Sequence, residues 1–328
     1  MASCDSSKLP QINFSRLSLA SSGSEEWTTV RSQVMRSLNE LTGFEIVYDK
    51  ITPEIREAVF GKALKELFAL PKEVKIQTSC LETPHNNYID IPSIDYEALG
   101  IPDCTVDRNF NKFVGLLWGE KGNPAFRDVV HTFMMLLLEV DQMVRKMIFE
   151  GFGVEKYFDK HLESYEHYMR IAHYGPPKTP GQPANAMAVH TDMTFTSILC
   201  QHEEEGLEIL SKDGSWITPS RNSLTFLVGD ELSVLCNGRL EPTIHRVTMR
   251  GNGHRYVTNY SSVPKNETVV QPPEELVDTE HPLLFKPFYH SDYLRFLFSQ
   301  EGIKLIPNAL KVFSGIITAA EEGKAEAN

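Results

Sequence analysis

The feature that most constrains the fold is a series of short, strand-like runs in the second half of the chain. The runs cover residues 168–173, 187–192, 196–201, 207–210, 216–218, 223–227, 232–236 and 255–260. Turn-forming pairs such as Asp213-Gly214, Gly229-Asp230 and Asn237-Gly238 separate several of them. About eight short strands at this spacing predict a double-stranded β-helix, or jelly roll.

Helical patterns flank this region. Apolar residues recur at helical spacing in 27–41, 55–68, 123–152 and 283–304, and residues 44–48 alternate as a strand does. We therefore predict a mainly β protein with flanking helices in three parts. These are a mostly helical N-terminal region (1–165) packing on the core, a jelly-roll core (166–262), and a C-terminal helical segment with a tail (263–328).

Composition excludes several classes of partner. The 328 residues include 32 basic and 44 acidic side chains, a formal net charge of -12, which argues against binding to a phosphate backbone. The longest apolar run, near residues 133–138, is far too short to span a bilayer, and no signal-like segment begins the chain. Five widely spaced cysteines without a CxxC pair indicate reduced thiols. We expect a monomeric cytoplasmic protein that binds neither nucleic acid nor membrane.

One motif predicts a metal site. Residues His190-Thr191-Asp192 are followed by His245, and Arg255 comes ten residues after His245. Side chains at positions i and i+2 of a strand share a face, so the histidine and the aspartate can reach one ion, with the second histidine supplied by a neighbouring strand. Two histidines and one carboxylate leave three coordination positions open, an arrangement that suits Fe(II) and oxygen chemistry.

The short pattern alone is weak evidence, because three other His-x-acid triplets begin at His161, His202 and His290. The first and the last lack a second histidine at the right distance. The triplet at His202 is followed by His254, but no arginine comes about ten residues later. An isolated triplet is more often a polar pair on a surface strand. The combination of triplet, spaced histidine and trailing arginine is what favours a metal centre.

The chain resembles a known enzyme family. The matching residues are Tyr174, His190-Thr191-Asp192, Asn237-Gly238-Arg239, His245-Arg246-Val247 and Arg255. In these residues, and over about 8–300 in all, the sequence is similar to the plant 2-oxoglutarate- and Fe(II)-dependent dioxygenases. The likeness is greatest to the specialised-metabolism branch with the AOP-like enzymes of glucosinolate side chains and deoxypodophyllotoxin synthase.

This resemblance implies a fold, a set of ligands and a reaction. The fold is the same β-helix core. His190, Asp192 and His245 would hold Fe(II), and Arg255 and Tyr174 would meet the distal carboxylate of 2-oxoglutarate. O2 is the second cosubstrate and ascorbate the expected reductant. The expected reaction oxidises a C–H bond of a small plant specialised metabolite by hydroxylation, desaturation, demethylation or ring closure, and releases succinate and CO2. The carboxylate of Asp192 favours oxygenation over halogenation, since related halogenases lack it.

The sequence departs from the family beside Arg255. The usual pattern is Arg-x-Ser, with the serine also contacting the distal carboxylate, whereas this chain has Val257. A valine cannot donate a hydrogen bond, and losing one to a charged group weakens binding by roughly 1 to 3 kcal/mol. We therefore expect Val257 to lie in the cosubstrate site and to reduce its affinity.

Substrate contacts are suggested by position only. Asn259 and Ser261 follow Arg255 on the same strand face, and Phe195 follows the metal triplet. The resemblance adds a pocket wall around Asn87, Tyr88 and Phe113. The alternative for each aromatic side chain is an ordinary place in the core.

Two other functions stay open on the sequence. An Fe(II) oxidase could use the same three ligands without 2-oxoglutarate, and its activity would survive omission of that acid. A catalytically silent binder of small molecules is the non-enzymatic alternative, suggested by Val257.

Overall fold

The computed structural model describes residues 8–79, 88–179 and 181–316. Its strands are β1 (Gln11–Asn13), β2 (Gly43–Val47), β3 (Ile89–Ile91), β4 (Tyr96–Ile101), β5 (Tyr165–Tyr174), β6 (Ala184–His190), β7 (Thr196–Gln201), β8 (Leu207–Leu210), β9 (Trp216–Ile217), β10 (Leu224–Val228), β11 (His245–Met249), β12 (Arg255–Pro264), β13 (Val269–Val270) and β14 (Phe288–Tyr289). Its α-helices are α1 (Glu25–Leu41), α2 (Pro53–Arg56), α3 (Leu64–Phe68), α4 (Lys72–Lys75), α5 (Asp107–Trp118), α6 (Pro124–Gly151), α7 (Phe158–Glu163), α8 (Asp230–Leu235), α9 (His290–Leu297), α10 (Gly302–Leu305) and α11 (Ala309–Ser314). A π-helical stretch, Glu57–Ala63, joins α2 to α3.

Two sheets form the β core. The large sheet has the order β1-β2-β10-β7-β12-β5-β4-β3, and the small sheet has the order β6-β11-β8-β9. All pairs are antiparallel except β1 with β2. Alternate side chains of the large sheet therefore face the small sheet, and the others face the helices. The jelly-roll prediction is confirmed.

The longest helix covers the outer face of the large sheet. Helix α6 begins at Pro124, and the side chain of Asn123 accepts a hydrogen bond from the backbone N–H of Phe126, which caps the helix. Its apolar stripe packs with outward-facing side chains of β5 and β12, including Met169 and Tyr260. This packing fixes the large sheet from behind, while its other face carries Arg170, Arg255 and Asn259.

The N-terminal region does more than pack on the core. Strands β1 and β2 extend one edge of the large sheet, and β3 and β4 extend the other edge. The expectation of a mostly helical region with strands only at its start missed β3 and β4. Their alternation is short, since β3 has three residues and β4 has six.

Three local predictions were wrong. Of residues 232–236, predicted as a strand, the first four belong to helix α8 and Cys236 caps its C-terminus, while Asp230 and Glu231 occupy its first turn. The pair predicted as a hairpin turn, Asn237 and Gly238, has positive φ angles of 51° and 76° and ends this helix instead. The helix expected over 283–304 is interrupted: α9 and α10 occupy only parts of it. Within the described residues, no helix combines the length and apolar character needed to cross a membrane.

Candidate active site

The three predicted metal ligands meet between the two sheets. Nitrogen Nε2 of His190 lies 3.8 Å from Oδ1 of Asp192, and Nε2 of His245 lies 3.7 Å from the same oxygen. One ligand atom from each of the three residues lies within 4.8 Å of the others. In the part of the chain that the structure describes, this is the one such group of histidine, cysteine and acidic side chains.

Strand pairing explains why the two histidines meet. His190 ends β6 and His245 begins β11, and the two residues are direct partners in the antiparallel register. Their ring centroids are 4.1 Å apart. Cross-strand partners point to the same face of a sheet, so residues 55 positions apart in sequence bring both imidazoles to one point.

Backbone hydrogen bonds set the orientation of both imidazoles. Nδ1 of His190 donates to the carbonyl oxygen of Ala188 at 2.8 Å, and Nδ1 of His245 donates to that of Thr243 at 3.0 Å. A carbonyl oxygen can only accept, so each Nδ1 carries the proton and each Nε2 presents its lone pair to the centre. This arrangement is typical of metal-binding histidines.

The loop after β6 holds the carboxylate. The backbone N–H of Asp230 donates to the carbonyl oxygen of Asp192 at 2.8 Å. A Cβ atom at Gly229 would lie 1.9 Å from the carbonyl oxygen of Thr194, so this approach requires a glycine. Nδ2 of Asn259 reaches Oδ2 of Asp192 at 3.4 Å and steadies the carboxylate from the large sheet.

The protonation states suit a cation. Burial, followed by the neighbouring His245, lowers the pKa of His190 to about 4, so this imidazole is neutral at physiological pH. Burial acts to raise the pKa of the Asp192 carboxyl. The two adjacent histidines act in the opposite direction, and its pKa lies below the usual value. A neutral imidazole at His190 and an ionised carboxylate at Asp192 suit the binding of a divalent metal.

A buried cation lies on the same face of the large sheet as Asn259, four residues earlier on β12. Arg255 begins β12, is fully buried, and has Tyr174 of β5 as its cross-strand partner. Its Cζ atom is 5.2 Å from the centre of the Tyr174 ring. Burial lowers the pKa of the guanidinium and Tyr174 opposes this shift. An arginine keeps its proton at neutral pH in spite of such a shift.

Gln201 satisfies part of the hydrogen-bonding capacity of Arg255. Nη2 donates to Oε1 of Gln201 at 3.1 Å. Gln201 is itself fully buried, and its Nε2 donates to the carbonyl oxygen of Ser220 at 3.0 Å. Nε and Nη1 of Arg255 have no hydrogen-bond partner among the described residues. A buried guanidinium whose N–H groups lack hydrogen-bond partners among the described residues can bind a carboxylate.

Val257 lies where the strand pattern predicts. It is 4% exposed and packs with Ala172, Tyr174 and Val247 in an apolar cluster beside Arg255. Its cross-strand neighbour on the other side is Gln201. Where the family usually has a serine hydroxyl, this chain therefore has an apolar side chain next to the buried amide of Gln201.

Two of the suggested substrate contacts lie on the inner face of the large sheet. Asn259 touches the carboxylate of Asp192, and Ser261 lies deeper on the same face, 3.1 Å from the hydroxyl of Ser197.

The three aromatic candidates belong elsewhere, and this is a correction to the sequence analysis. Phe195 and Phe113 are buried in the main core cluster, and Tyr88 packs against it. The ring of Phe195 lies 4.4 Å from that of His161, on the helical side of the large sheet. Asn87 lies outside the described residues.

Sequence reasoning missed two residues on the inner face of the large sheet, Gln201 and Arg170. Gln201 precedes a His-x-acid triplet and carries no signal of its own. Arg170 lies four residues before Tyr174 on β5, so the i, i+2, i+4 periodicity of a strand could have found it.

The residues present fit the group that the motif implies. The donor set, the fixed Nε2 lone pairs and the buried N–H groups of Arg255 together suit a divalent iron with a dicarboxylate beside it.

Comparisons with known proteins agree with this fit. The 2OG-Fe(II) oxygenase superfamily matches residues 165–264. The probable 2-oxoglutarate-dependent dioxygenase AOP1.2 of Arabidopsis thaliana is 39% identical over 313 residues, which is 94% of this chain and 96% of that protein. The probable 2-oxoglutarate-dependent dioxygenase AOP1 of the same plant is 38% identical over 314 residues, with the same shares covered.

Solved structures share the fold. The rice dioxygenase for auxin oxidation superposes with a TM-score of 0.76 at 23% identity, covering 94% of this chain and all of that one (100%). JOX2 in complex with 2OG, Fe and JA gives a TM-score of 0.72 at 19% identity, covering 90% and 86%.

The jelly roll with two histidines and a carboxylate between its sheets defines an iron oxygenase. The chain belongs to the 2-oxoglutarate- and Fe(II)-dependent oxygenase family. It is an enzyme, a dioxygenase whose cofactor is Fe(II) and whose cosubstrate is 2-oxoglutarate. The expectations of family, fold class, enzyme class and cofactor are confirmed.

Proposed function

We propose that His190, Asp192 and His245 hold the iron, that Arg255 with Tyr174 receives the distal carboxylate of 2-oxoglutarate, and that the enzyme oxidises a C–H bond of a small plant specialised metabolite. The observation that carries the proposal is the joint geometry of the three ligands and Arg255. Three ligand atoms lie within 4.8 Å of one another, and the strand whose Asn259 contacts Asp192 begins with a buried guanidinium, of which Nε and Nη1 lack partners among the described residues.

When bound, Fe(II) would supply the chemistry by which O2 oxidises a C–H bond: O2 takes two electrons from that bond and two from 2-oxoglutarate, which leaves as succinate and CO2. The protein contributes charge and position. Asp192 offsets part of the charge of the cation. The hydrogen bonds from the two Nδ1 atoms to backbone carbonyl oxygens fix the positions of the Nε2 atoms of His190 and His245. Arg255 pairs with a carboxylate through parallel N–H groups, which fixes both the orientation and the depth of the cosubstrate. Val257 and its apolar neighbours exclude water from that pair.

The test is turnover by ligand variants. Purified wild type is incubated with Fe(II), ascorbate, 2-oxoglutarate and a plant metabolite extract, and succinate and shifted products are followed by mass spectrometry. We expect His190→Ala, Asp192→Ala and His245→Ala to lose product formation while retaining the fold by circular dichroism. The exposed His281 supplies the matched control, because His281→Ala removes the same side chain far from the cavity. Full activity in any of the three variants would overturn the metal assignment. Activity without added 2-oxoglutarate would favour the oxidase.

We further propose that residues 166–262 carry the chemistry and that 1–165 and 263–328 support them, in a monomeric cytoplasmic protein that uses ascorbate as reductant. The formal charge of -12 supports the absence of nucleic-acid partners. Light scattering coupled to gel filtration tests the monomer, and fractionation of plant cells tests the compartment.

A further inference from the structure

A second arginine lies on the face of the large sheet that contacts the candidate metal ligand Asp192. Arg170 of β5 pairs directly with Gly100 of β4 on one side and with Asn259 of β12 on the other. Cross-strand partners share a face of the sheet, and the Asn259 side chain reaches Oδ2 of Asp192 at 3.4 Å. Arg170 therefore lies beside Asn259, the residue of the large sheet whose side chain contacts the candidate metal-binding carboxylate.

This position differs from that of Arg255. Arg255 and Asn259 are four residues apart on β12, which corresponds to about 13 Å along a strand. The two arginines thus lie in different rows of the same face. In the proposed function, one carboxylate of 2-oxoglutarate faces the metal and the other faces Arg255, so the charge of Arg170 is not needed for the cosubstrate.

The sequence leaves room for Arg170 and the ring beside it. The Cζ atom of Arg170 lies 5.6 Å from the centre of the Tyr168 ring. A Cβ atom at Gly100 would lie 2.2 Å from the Tyr168 hydroxyl, so only a glycine lets this ring lean across β4. Tyr96 and Tyr168 favour the charged guanidinium, and the pKa of Arg170 is raised although burial acts to lower it.

The chemistry of this corner suits an oxyanion. A guanidinium presents five N–H donors in one plane and can hold a phenol oxygen and a carboxylate at the same time. Phenol hydroxyls can donate to the same anion. The half-buried Arg170 side chain keeps water partly out, which strengthens such a pair.

We propose that the substrate of this enzyme carries a carboxylate or another compact oxyanion, and that Arg170, supported by Tyr168, binds it and so sets which C–H bond faces the metal. This inference rests on the proposed function and names its substrate class.

The first test uses binding without turnover. A plant metabolite extract is separated at neutral pH into the fraction retained by an anion exchanger and the fraction that flows through. Each is equilibrated by dialysis against wild type, Arg170→Gln, Arg170→Lys and the exposed control Arg221→Gln, under anaerobic conditions with 2-oxoglutarate and Mn(II). We expect wild type and the control to enrich a compound of the retained fraction, Arg170→Lys to enrich it weakly, and Arg170→Gln not to enrich it.

The second test uses turnover of the enriched compound and of its methyl ester. We expect Arg170→Gln to lower kcat/KM for the acid by at least about tenfold while the KM for 2-oxoglutarate stays unchanged, and the ester to be a poor substrate of wild type. Enrichment from the flow-through fraction alone, or equal behaviour of wild type and Arg170→Gln, would overturn the inference. Enrichment of an acid that yields no succinate with Fe(II) would leave the anion site standing and refute the proposed oxidation.

Discussion

Changing Gln201 to glutamate tests whether 2-oxoglutarate binds at Arg255. The side chain is fully buried, and its Oε1 accepts from Nη2 of Arg255 at 3.1 Å. Gln201→Glu keeps the shape and replaces the amide with a carboxylate. In the absence of 2-oxoglutarate the new charge pairs with Arg255, but the amide donor to the carbonyl oxygen of Ser220 is lost, so these two effects on the stability of the variant oppose each other.

We expect Gln201→Glu to bind 2-oxoglutarate much more weakly than wild type does. A distal carboxylate on Arg255 would lie about 5 Å from the new one, and two like charges at that distance repel by about 3 kcal/mol at an effective dielectric constant of about 20. This corresponds to a Kd roughly a hundredfold higher. Anaerobic calorimetry with Mn(II) measures it. Gln33→Glu on the exposed face of α1 adds the same charge remotely and should bind as wild type does. An unchanged Kd in Gln201→Glu would show that the dicarboxylate does not bind at Arg255.

Three further changes have defined outcomes. Val257→Ser restores a hydroxyl beside Arg255 and should tighten 2-oxoglutarate binding by up to about tenfold in the same calorimetry; equal or weaker binding would contradict the assumed role of this position. His167 has its pKa lowered to about 4 by burial, so the folded state binds fewer protons than the unfolded state between about pH 6.5 and 4, and stability falls as pH decreases through that window. His167→Phe should remove about 3 kcal/mol of that acid destabilisation in urea titrations at pH 7 and pH 4, and a variant with the wild-type pH slope would refute it. Tyr293→Phe removes the donor to Oδ2 of the buried Asp230 (2.6 Å) and should lower the free energy of unfolding by about 1 to 3 kcal/mol at pH 8; no loss would mean that water replaces it.

The metal centre could be predicted from the sequence because its parts are local or regularly spaced. His190 and Asp192 share a strand face through the i, i+2 rule, and the structure pairs His190 with His245 directly. Arg255 and Val257 follow the same rule on β12. The hydrophobic alternation of this region also predicted most of the strands.

The remaining contacts depend on register between strands, which one sequence does not reveal. Gln201 lies beside Arg255 only because β7 pairs with β12. Arg170 lies beside Asn259 only because β5 pairs with the other edge of β12. Phe195 follows the metal triplet closely, yet the chain turns there and places its ring in the core. Helix α8 resembled a strand because it is short and buried on all sides, so Leu232, Val234 and Leu235 show no helical period.

The most direct test of the account is a crystal structure with Mn(II) and 2-oxoglutarate, with anomalous scattering used to locate the metal. We predict one strong anomalous peak within bonding distance of Nε2 of His190, Nε2 of His245 and a carboxylate oxygen of Asp192, and a dicarboxylate that runs from it to the guanidinium of Arg255. A metal peak elsewhere, or a dicarboxylate that does not reach Arg255, would contradict the account.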